Sequence, residues 1–311
     1  MKVLITGGAG FIGSHLCDRL LMNGHQVLVI DNYLTGRKDN LEPHANLTII
    51  EGTIADKNLV DKAFECFRPD VVVHAAASYK DPANWEEDAY SNVIGTINVV
   101  KASMKLEIER IIYFQTALCY GLKPKENPIT LNHPIDSRGS SYSISKTCGE
   151  QYIELSGLDF ISFRLANAYG PRNLSGPLPT FYHRLTTGKP CFIADTRRDF
   201  IFIDDLIDVV FKAVMGEGHR GYYHISSGSD YSIKELFDET LASLNITLEK
   251  EVEIKPRNPD DVETLLIDPS KTNTDFHWKV KTPLNVGVSK AICWYEQYGI
   301  TQTYTHLKPV S

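Results

Sequence analysis

The chain reads as an α/β protein built on a doubly wound parallel sheet, with a smaller C-terminal lobe. Three observations predict this. Short apolar runs alternate with amphipathic stretches through the first half, the links between them are short, and after about residue 167 the alternation loosens into Pro- and Gly-punctuated segments. At 311 residues there is room for two such units.

Lys2–Thr6 carries Val3, Leu4 and Ile5 in succession, the pattern of a strand buried on both faces. Phe11–Met22 follows as a helix, with Ile12, Leu16 and Leu20 at i, i+4 and i+8 and Gly24 as its stop. Gln26–Ile30 is the second strand. The alternation continues through strands at Leu47–Glu51, Asp70–His74, Arg110–Gln115 and Phe160–Arg164, and helices at Leu59–Phe67, Ala89–Met104 and Tyr142–Ser156. Beyond Asn167, Gly170-Pro171, Gly176-Pro177-Leu178-Pro179 and Gly188-Lys189-Pro190 interrupt the pattern. The first domain is therefore placed at 1–166 and the second mainly at 167–311. Asp199–Ile203 and an apolar helix from Asp205 to Met215 can return to the sheet, so the segment about 199–215 need not follow a single cut. Ser232-Ile233-Lys234-Glu235 has capping-box spacing, and Leu284–Tyr298 reads as a closing helix.

Composition narrows the class. Hydrophobic residues at 42% and charged residues at 23% exclude a disordered or fibrous chain, and a net charge of −7 argues against a protein devoted to nucleic acid. Any anionic ligand must meet local arginines. The ten histidines show no compact ligand spacing, so no metal site is expected. No apolar run is long enough to span a membrane, and no leader-like segment is read at the start. Six cysteines without Cys-x-x-Cys spacing are expected to be free thiols in a reducing cytosol.

Two elements carry chemistry. In Thr6-Gly7-Gly8-Ala9-Gly10-Phe11-Ile12-Gly13, Gly8, Gly10 and Gly13 satisfy G-x-G-x-x-G, and Gly7, Gly10 and Gly13 satisfy the related Gly-x-x-Gly-x-x-Gly. Placed between a strand and a helix, this reads as the Rossmann-like cradle for a dinucleotide pyrophosphate, which would meet bare backbone and the positive end of a helix, an ordinary glycine-rich turn being the alternative. Asp31 closes the second strand, where a carboxylate accepts from ribose hydroxyls and repels a 2′-phosphate. That favours NAD over NADP, which stays open as the lesser option because Arg37 follows a few residues on.

The second element is Tyr142-Ser143-Ile144-Ser145-Lys146. On a helix Tyr142 and Lys146 lie one turn apart on one face, so a phenol and an ammonium reach a shared ligand. Alone, this spacing is more often a core tyrosine beside a surface lysine; the cradle upstream reverses those odds. About 0.1% of an ordinary tyrosine is phenolate at pH 7, and a downward shift of about 3 units needs roughly 4 kcal/mol. A desolvated Lys146 and a positive nicotinamide ring are expected to supply it. Thr116, at the end of the strand Arg110–Gln115, is placed to orient a substrate hydroxyl, or else to bond its own backbone.

The sequence resembles the extended short-chain dehydrogenase/reductase family, in particular its nucleotide-sugar C4-epimerases. The resemblance covers almost the whole chain. It rests on Thr6–Gly13, Asp31-Asn32, His74-Ala75-Ala76-Ala77, Asn92-Val93-Ile94-Gly95-Thr96, Thr116 through Tyr120-Gly121, Tyr142–Lys146, Asn167-Ala168-Tyr169-Gly170-Pro171-Arg172 and Arg198-Asp199-Phe200. It implies a catalytic triad of Tyr142, Lys146 and Thr116. It also implies an NAD held by Gly7, Gly10, Phe11, Ile12, Gly13, Asp31, Asn32, Ile54, Ala75, Ala76, Asn92, Tyr142 and Lys146. A nucleoside diphosphate sugar, UDP being the commonest nucleotide, would meet Thr116, Asn167 and Arg198, and less securely Arg257 in Pro256-Arg257-Asn258-Pro259-Asp260-Asp261. Guanidinium groups suit a diphosphate because they bind it bidentately.

Relatives that dehydrate or decarboxylate carry an acidic residue just after the position of Thr116, whereas this chain has Ala117-Leu118. The resemblance therefore implies C4 epimerisation of a hexose or hexuronate through a 4-keto sugar. A 4-keto-sugar reductase using NAD(P)H is the alternative, with a 4,6-dehydratase less favoured and a non-enzymatic NAD-binding protein least. Thr53 stands where relatives carry an Asp near the adenine, and Ala194-Asp195-Thr196-Arg197 is about two residues short. Phe114–Gly121 and Ser78-Tyr79-Lys80-Asp81-Pro82 look like epimerases of bacterial O-antigen (lipopolysaccharide) pathways. Relatives commonly form homodimers through two helices, here Ala89–Met104 and Tyr142–Ser156.

Overall fold

The computed structural model describes residues 1–79, 81–257, 261–300 and 302–304. Lys80 and Asn258-Pro259-Asp260, parts of two strings noted above, lie outside them.

The chain opens with β1 (Lys2–Thr6), α1 (Phe11–Met22), β2 (Gln26–Asp31), β3 (Leu47–Glu51), α2 (Lys57–Phe67) and β4 (Val71–His74). A short helix α3 (Trp85–Asp88) runs through a π-helical stretch, Ala89–Gly95, into α4 (Thr96–Lys105). There follow β5 (Arg110–Thr116), α5 (Ser141–Leu155), β6 (Phe160–Leu165), β7 (Asn167–Tyr169), α6 (Pro177–Thr186), β8 (Phe192–Ala194), β9 (Arg197–Phe202) and α7 (Ile203–Val214). The remainder comprises β10 (Gly221–Ile225), β11 (Asp230–Ser232), α8 (Ile233–Leu244), β12 (Glu253–Lys255), β13 (Thr264–Leu265), α9 (Ser270–Asp275) and α10 (Leu284–Tyr298).

Seven strands form one sheet in the order β10-β6-β5-β4-β1-β2-β3, and every pairing in it is parallel. Helices cover both faces, so β1 and β4 bury side chains on either side: Val3, Leu4, Ile5, Val72 and Val73 have no exposed surface. The chain leaves β1 toward β2 and β3, then crosses back to β4 on the other flank. That reversal makes the β1/β4 boundary the crevice where doubly wound sheets bind ligands. The doubly wound α/β architecture is thus the one the alternation predicts. Its seventh strand, β10, comes from beyond residue 167 and lies beside β6, a placement no local pattern announced.

A second sheet is centred on β9, which pairs with β7, β11 and β13, while β8 pairs with β12. The predicted capping box starts α8: Ser232 Oγ accepts from Glu235 N at 3.0 Å, and Glu235 Oε2 accepts from Ser232 N at 2.7 Å.

The expected single helix over Ala89–Met104 differs in detail. It is entered through α3 and carries the π-helical stretch, whose last residue, Gly95, faces Ile54; a Cβ there would lie 2.5 Å from Ile54 Cδ1. Such bulges widen a helix locally and recur at functional sites.

Helix α5 is fixed by a buried ion pair one turn past Lys146. Arg164 Nη2 on β6 donates to Glu150 Oε2 at 2.9 Å, Ser162 Oγ donates to Glu150 Oε1, and Arg164 Nη1 donates to Tyr120 Oη at 2.9 Å. Both charged groups are nearly solvent-free. Glu150→Ala would strand the guanidinium, and chemical denaturation is expected to show a loss of about 3 kcal/mol.

Candidate active site

The loop leaving β1 is shaped by bare backbone. Gly7 sits at φ +69°, and a Cβ there would lie 2.6 Å from Ala76 N in the loop leaving β4. At Gly13 a Cβ would lie 2.3 Å from Gly7 O, so helix α1 can approach the loop only through a glycine. Gly10 caps α1 without a side-chain hydrogen bond, leaving its first-turn amides for an anion.

Asp31 ends β2 and is buried. Its Oδ2 accepts from Ala9 N at 2.8 Å and its Oδ1 from Tyr33 N at 2.8 Å, so the carboxylate also holds the glycine loop. Burial pushes its pKa up, while the amides of Tyr33, Ala9 and Gly10 oppose that rise. Each carboxylate oxygen keeps acceptor capacity for a ribose hydroxyl.

Behind the cradle runs a buried relay. Thr6 Oγ1 lies 2.7 Å from His74 Nδ1, His74 Nε2 lies 2.8 Å from Thr96 Oγ1, and Thr96 Oγ1 donates to Asn92 O at 2.7 Å. Desolvation, with Lys146 nearby, drives the His74 pKa down to about 3, so this ring is neutral.

A cleft of about 1,020 Å³ runs along the carboxyl ends of the strands and across to the second sheet. It exceeds the roughly 300–1,000 Å³ usual for one small ligand. The structure brings to it Gly7, Gly10, Phe11, Ile12, Gly13, Asp31, Asn32, Ile54, Ala75, Ala76, Thr116, Tyr142, Lys146, Asn167 and Arg198. Two expected residues do not line it. Asn92 is buried behind the wall, its Nδ2 donating to Ser78 O at 3.1 Å and Ser145 Oγ at 3.0 Å while its Oδ1 accepts from Ser78 N at 2.8 Å. Arg257 stands one step back, donating to Asp261 O at 2.8 Å. Thr53, in place of the usual Asp, closes its own turn by accepting from Ala55 N at 3.2 Å.

Helix α5 begins at a capping box of Ser140 and Ser143 and presents Tyr142 and Lys146 to the cleft. Thr116 faces them from the end of β5, where its Oγ1 accepts from Leu118 N at 3.2 Å and keeps its own O–H to donate. Both roles considered for Thr116 are therefore compatible.

The electrostatics of the ligand-free chain show what the fold alone supplies. In the protein alone the Tyr142 phenol is pushed up, not down, by desolvation first and then by Tyr79 and Asp88. Lys146, 2% exposed, is lowered to about 7 by desolvation, with Glu150 opposing. Phenolate at Tyr142 therefore needs positive charge brought by a ligand together with a charged Lys146.

On the second-lobe side, Arg198 is 8% exposed and bonded to Asp261, and desolvation lowers its pKa. Asn167 Nδ2 donates to Asp199 O at 3.4 Å. Sequence reasoning missed Thr35, Tyr79, Arg184, Lys255 and Tyr304, all of which reach the cleft. Tyr79 lay in a string noted for its likeness; the others come from segments without a motif. Among the described residues, no group of three or more His, Cys, Asp or Glu is placed to hold a metal ion, and no helix is long and apolar enough to cross a membrane.

Comparison with known proteins agrees with this geometry. Residues 3–225 match the model of the NAD dependent epimerase/dehydratase family. A putative UDP-glucose 4-epimerase of Methanocaldococcus jannaschii is 30% identical over 306 residues, spanning 94% of this chain and 97% of that protein. The Bordetella bronchiseptica enzyme WbmH, solved in complex with NAD+, is 49% identical with a TM-score of 0.93, over 96% of this chain and 99% of that one. WbmG of the same organism, solved with NAD and UDP, is 44% identical with a TM-score of 0.92, over 99% of both chains.

The buried amine gives a stability signature. Its pKa is about 7 in the folded chain and about 10.4 when unfolded. The unfolded state binds more protons between those values, so stability rises as pH climbs through that window. Lys146→Met removes the penalised charge. The ligand-free variant is expected to melt several degrees above the unmodified protein at about pH 7, with the difference closing toward about pH 10.

Proposed function

The chain belongs to the NAD dependent epimerase/dehydratase family, and from that premise we propose that it interconverts the C4 epimers of a UDP-linked hexose or hexuronate, with NAD as its cofactor. The observation that carries this reading is the set of groups facing the Tyr142–Lys146 pair. Thr116 is followed by Ala117, which is buried, and Leu118, which lines the cleft. The only carboxylates among the described cleft residues are Asp31, engaged by the glycine loop, and Asp261, paired to Arg198. A dehydration or decarboxylation, which needs an extra acid or base, has no group to perform it there.

The residues fit the cofactor. The uncapped first turn of α1 and Gly7, Gly10 and Gly13 suit a pyrophosphate, Phe11 and Ile12 begin the helix above it, and Asn32, Ile54, Ala75 and Ala76 wall the adjoining cleft. Asp31 would accept from the ribose hydroxyls and repel a 2′-phosphate, favouring NAD over NADP. When bound, NAD supplies reversible two-electron oxidation of the C4 carbinol. Tyr142 takes the C4 hydroxyl proton and returns it, Lys146 as an ammonium lowers the cost of the phenolate, and Thr116 orients the hydroxyl. Asn92 supports this from behind by tying Ser78 to Ser145 on α5.

The diphosphate would meet Arg198 and Asn167, with Arg184 and Lys255 in the same lobe, and Arg257 would act by bracing Asp261. UDP is supported by the name of the M. jannaschii relative and by the nucleotide in the WbmG complex. Residues 1–166 would then serve the cofactor and 167–311 mainly the nucleotide sugar. The strings resembling O-antigen epimerases support a sugar of that kind. All six cysteines are unpaired, in keeping with the cytosol.

We also infer a homodimer through the π-helical stretch, α4 and α5. Ile144, Tyr152 and Leu155 on α5 and Tyr90, Ile94 and Met104 on the neighbouring helix leave apolar side chains exposed. Sedimentation is expected to give a dimer at micromolar concentration, and Ile144→Glu with Leu155→Arg a monomer.

The activity itself is tested by stoichiometry. A UDP-sugar incubated with the protein and NAD should reach its C4 epimer with no net NADH, and Tyr142→Phe should slow this by about 10³-fold. Consumption of one NAD(P)H per product would replace the epimerase by a reductase.

A further inference from the structure

Resting on the roles given above to Tyr142 and Lys146, we propose that Tyr113 is a positioning residue for Lys146, its ring face supporting the ammonium from below. Lys146 Nζ lies 4.0 Å from the centroid of the Tyr113 ring, well inside the distance at which a cation is attracted by an aromatic face. Among the described residues no hydrogen bond or ion pair is formed by that Nζ, and the side chain is 2% exposed, reaching solvent only through the cleft. The ring face is thus the closest compensation the fold offers to the charge.

The phenol is held as firmly as the ring. Tyr113 has no exposed surface, and its hydroxyl donates to the main-chain carbonyl of Lys146 at 2.9 Å. The space it occupies exists because residue 149 lacks a side chain; a Cβ at Gly149 would lie 2.8 Å from the Tyr113 hydroxyl oxygen. The His74 ring packs 5.4 Å from the Tyr113 ring and is neutral, so it adds no competing charge. One strand, β5, therefore delivers Thr116 to the cleft and Tyr113 to the underside of the lysine.

Of the ionisable groups near Lys146, Tyr142, Cys148 and Glu150 share its helix, Tyr113 comes from β5 and His74 from β4; Tyr79, after β4, and Asp88 on α3 act on Tyr142, and Arg164 on β6 pairs with Glu150. Glu150 is committed to Arg164 and Ser162. An aromatic face at 113 attracts the charged amine more strongly than the neutral one, which gives the interaction a pH signature that packing alone lacks.

A double-mutant cycle between Tyr113→Leu and Lys146→Met, read by urea denaturation of the ligand-free full chain, tests this. At about pH 6, where the amine is charged, the cycle should show a coupling of about tenfold or more in the folding equilibrium; at about pH 9 it should fall toward one. Tyr113→Phe, which keeps the ring, should show little coupling at either pH. In turnover, Tyr113→Leu should lower kcat about tenfold with KM within about twofold, and Tyr113→Phe should restore kcat. Equal coupling at both pH values overturns the proposal, as does Tyr113→Phe behaving like Tyr113→Leu. If Tyr113→Leu does not fold, Tyr113→Met takes its place in the cycle. Coupling with the expected pH dependence alongside no epimerisation of any UDP-sugar would uphold the role of Tyr113 and defeat the functional reading instead.

Discussion

The main-chain contact between Gly7 and Ala76 is the constraint on which the rest of the site depends. It joins the loops leaving β1 and β4 at the point where the strand order of the sheet reverses. Any side chain at residue 7 would part those loops, and with them the glycine cradle and the wall formed by Ala75 and Ala76. The Thr6–His74–Thr96 relay lies directly beneath and holds the same two strand ends together with polar groups that are paired at both ends. Its histidine is neutral, so the relay is a structural brace and not a source of charge.

Against that rigid floor, the groups proposed to react are placed at a cost. Lys146 is largely withdrawn from water on a helix that Glu150 and Arg164 latch to the sheet, and Tyr142 sits where desolvation opposes its ionisation. The protein alone therefore holds a neutral phenol beside an amine whose charge is penalised. A positive charge brought into the cleft would favour the phenolate and disfavour the ammonium, so the proton the amine keeps depends on the phenolate forming beside it. Reactivity is in this sense conditional on occupancy.

In the proposed function the second lobe would solve a different problem, that of gripping an anion with a protein of net charge −7. Arg184, Arg198 and Lys255 line the same side of the cleft, and Arg198 is kept in place by Asp261, which Arg257 braces through its carbonyl. A pre-ordered guanidinium loses less freedom when it binds a diphosphate than one that swings free.

Much of this was legible in the sequence, for a physical reason. The glycine spacing, Asp31 at a strand end, the Tyr142/Lys146 turn and the Ser232/Glu235 cap depend on residues within one turn or one loop of each other, and backbone geometry there follows from local chemistry. What the sequence could not decide rests on contacts between distant segments. The joining of β10 to the sheet, the π-helical stretch against Ile54, the turning of Asn92 away from the cleft and the pairing of Arg198 with Asp261 are all of this kind. So is the upward shift of Tyr142 in the ligand-free chain, because desolvation is set by the whole enclosure and not by a neighbour four residues away. Residue types and spacing determined which groups could react; only tertiary burial decided which of them are charged, which are exposed to a ligand, and what must arrive before they act.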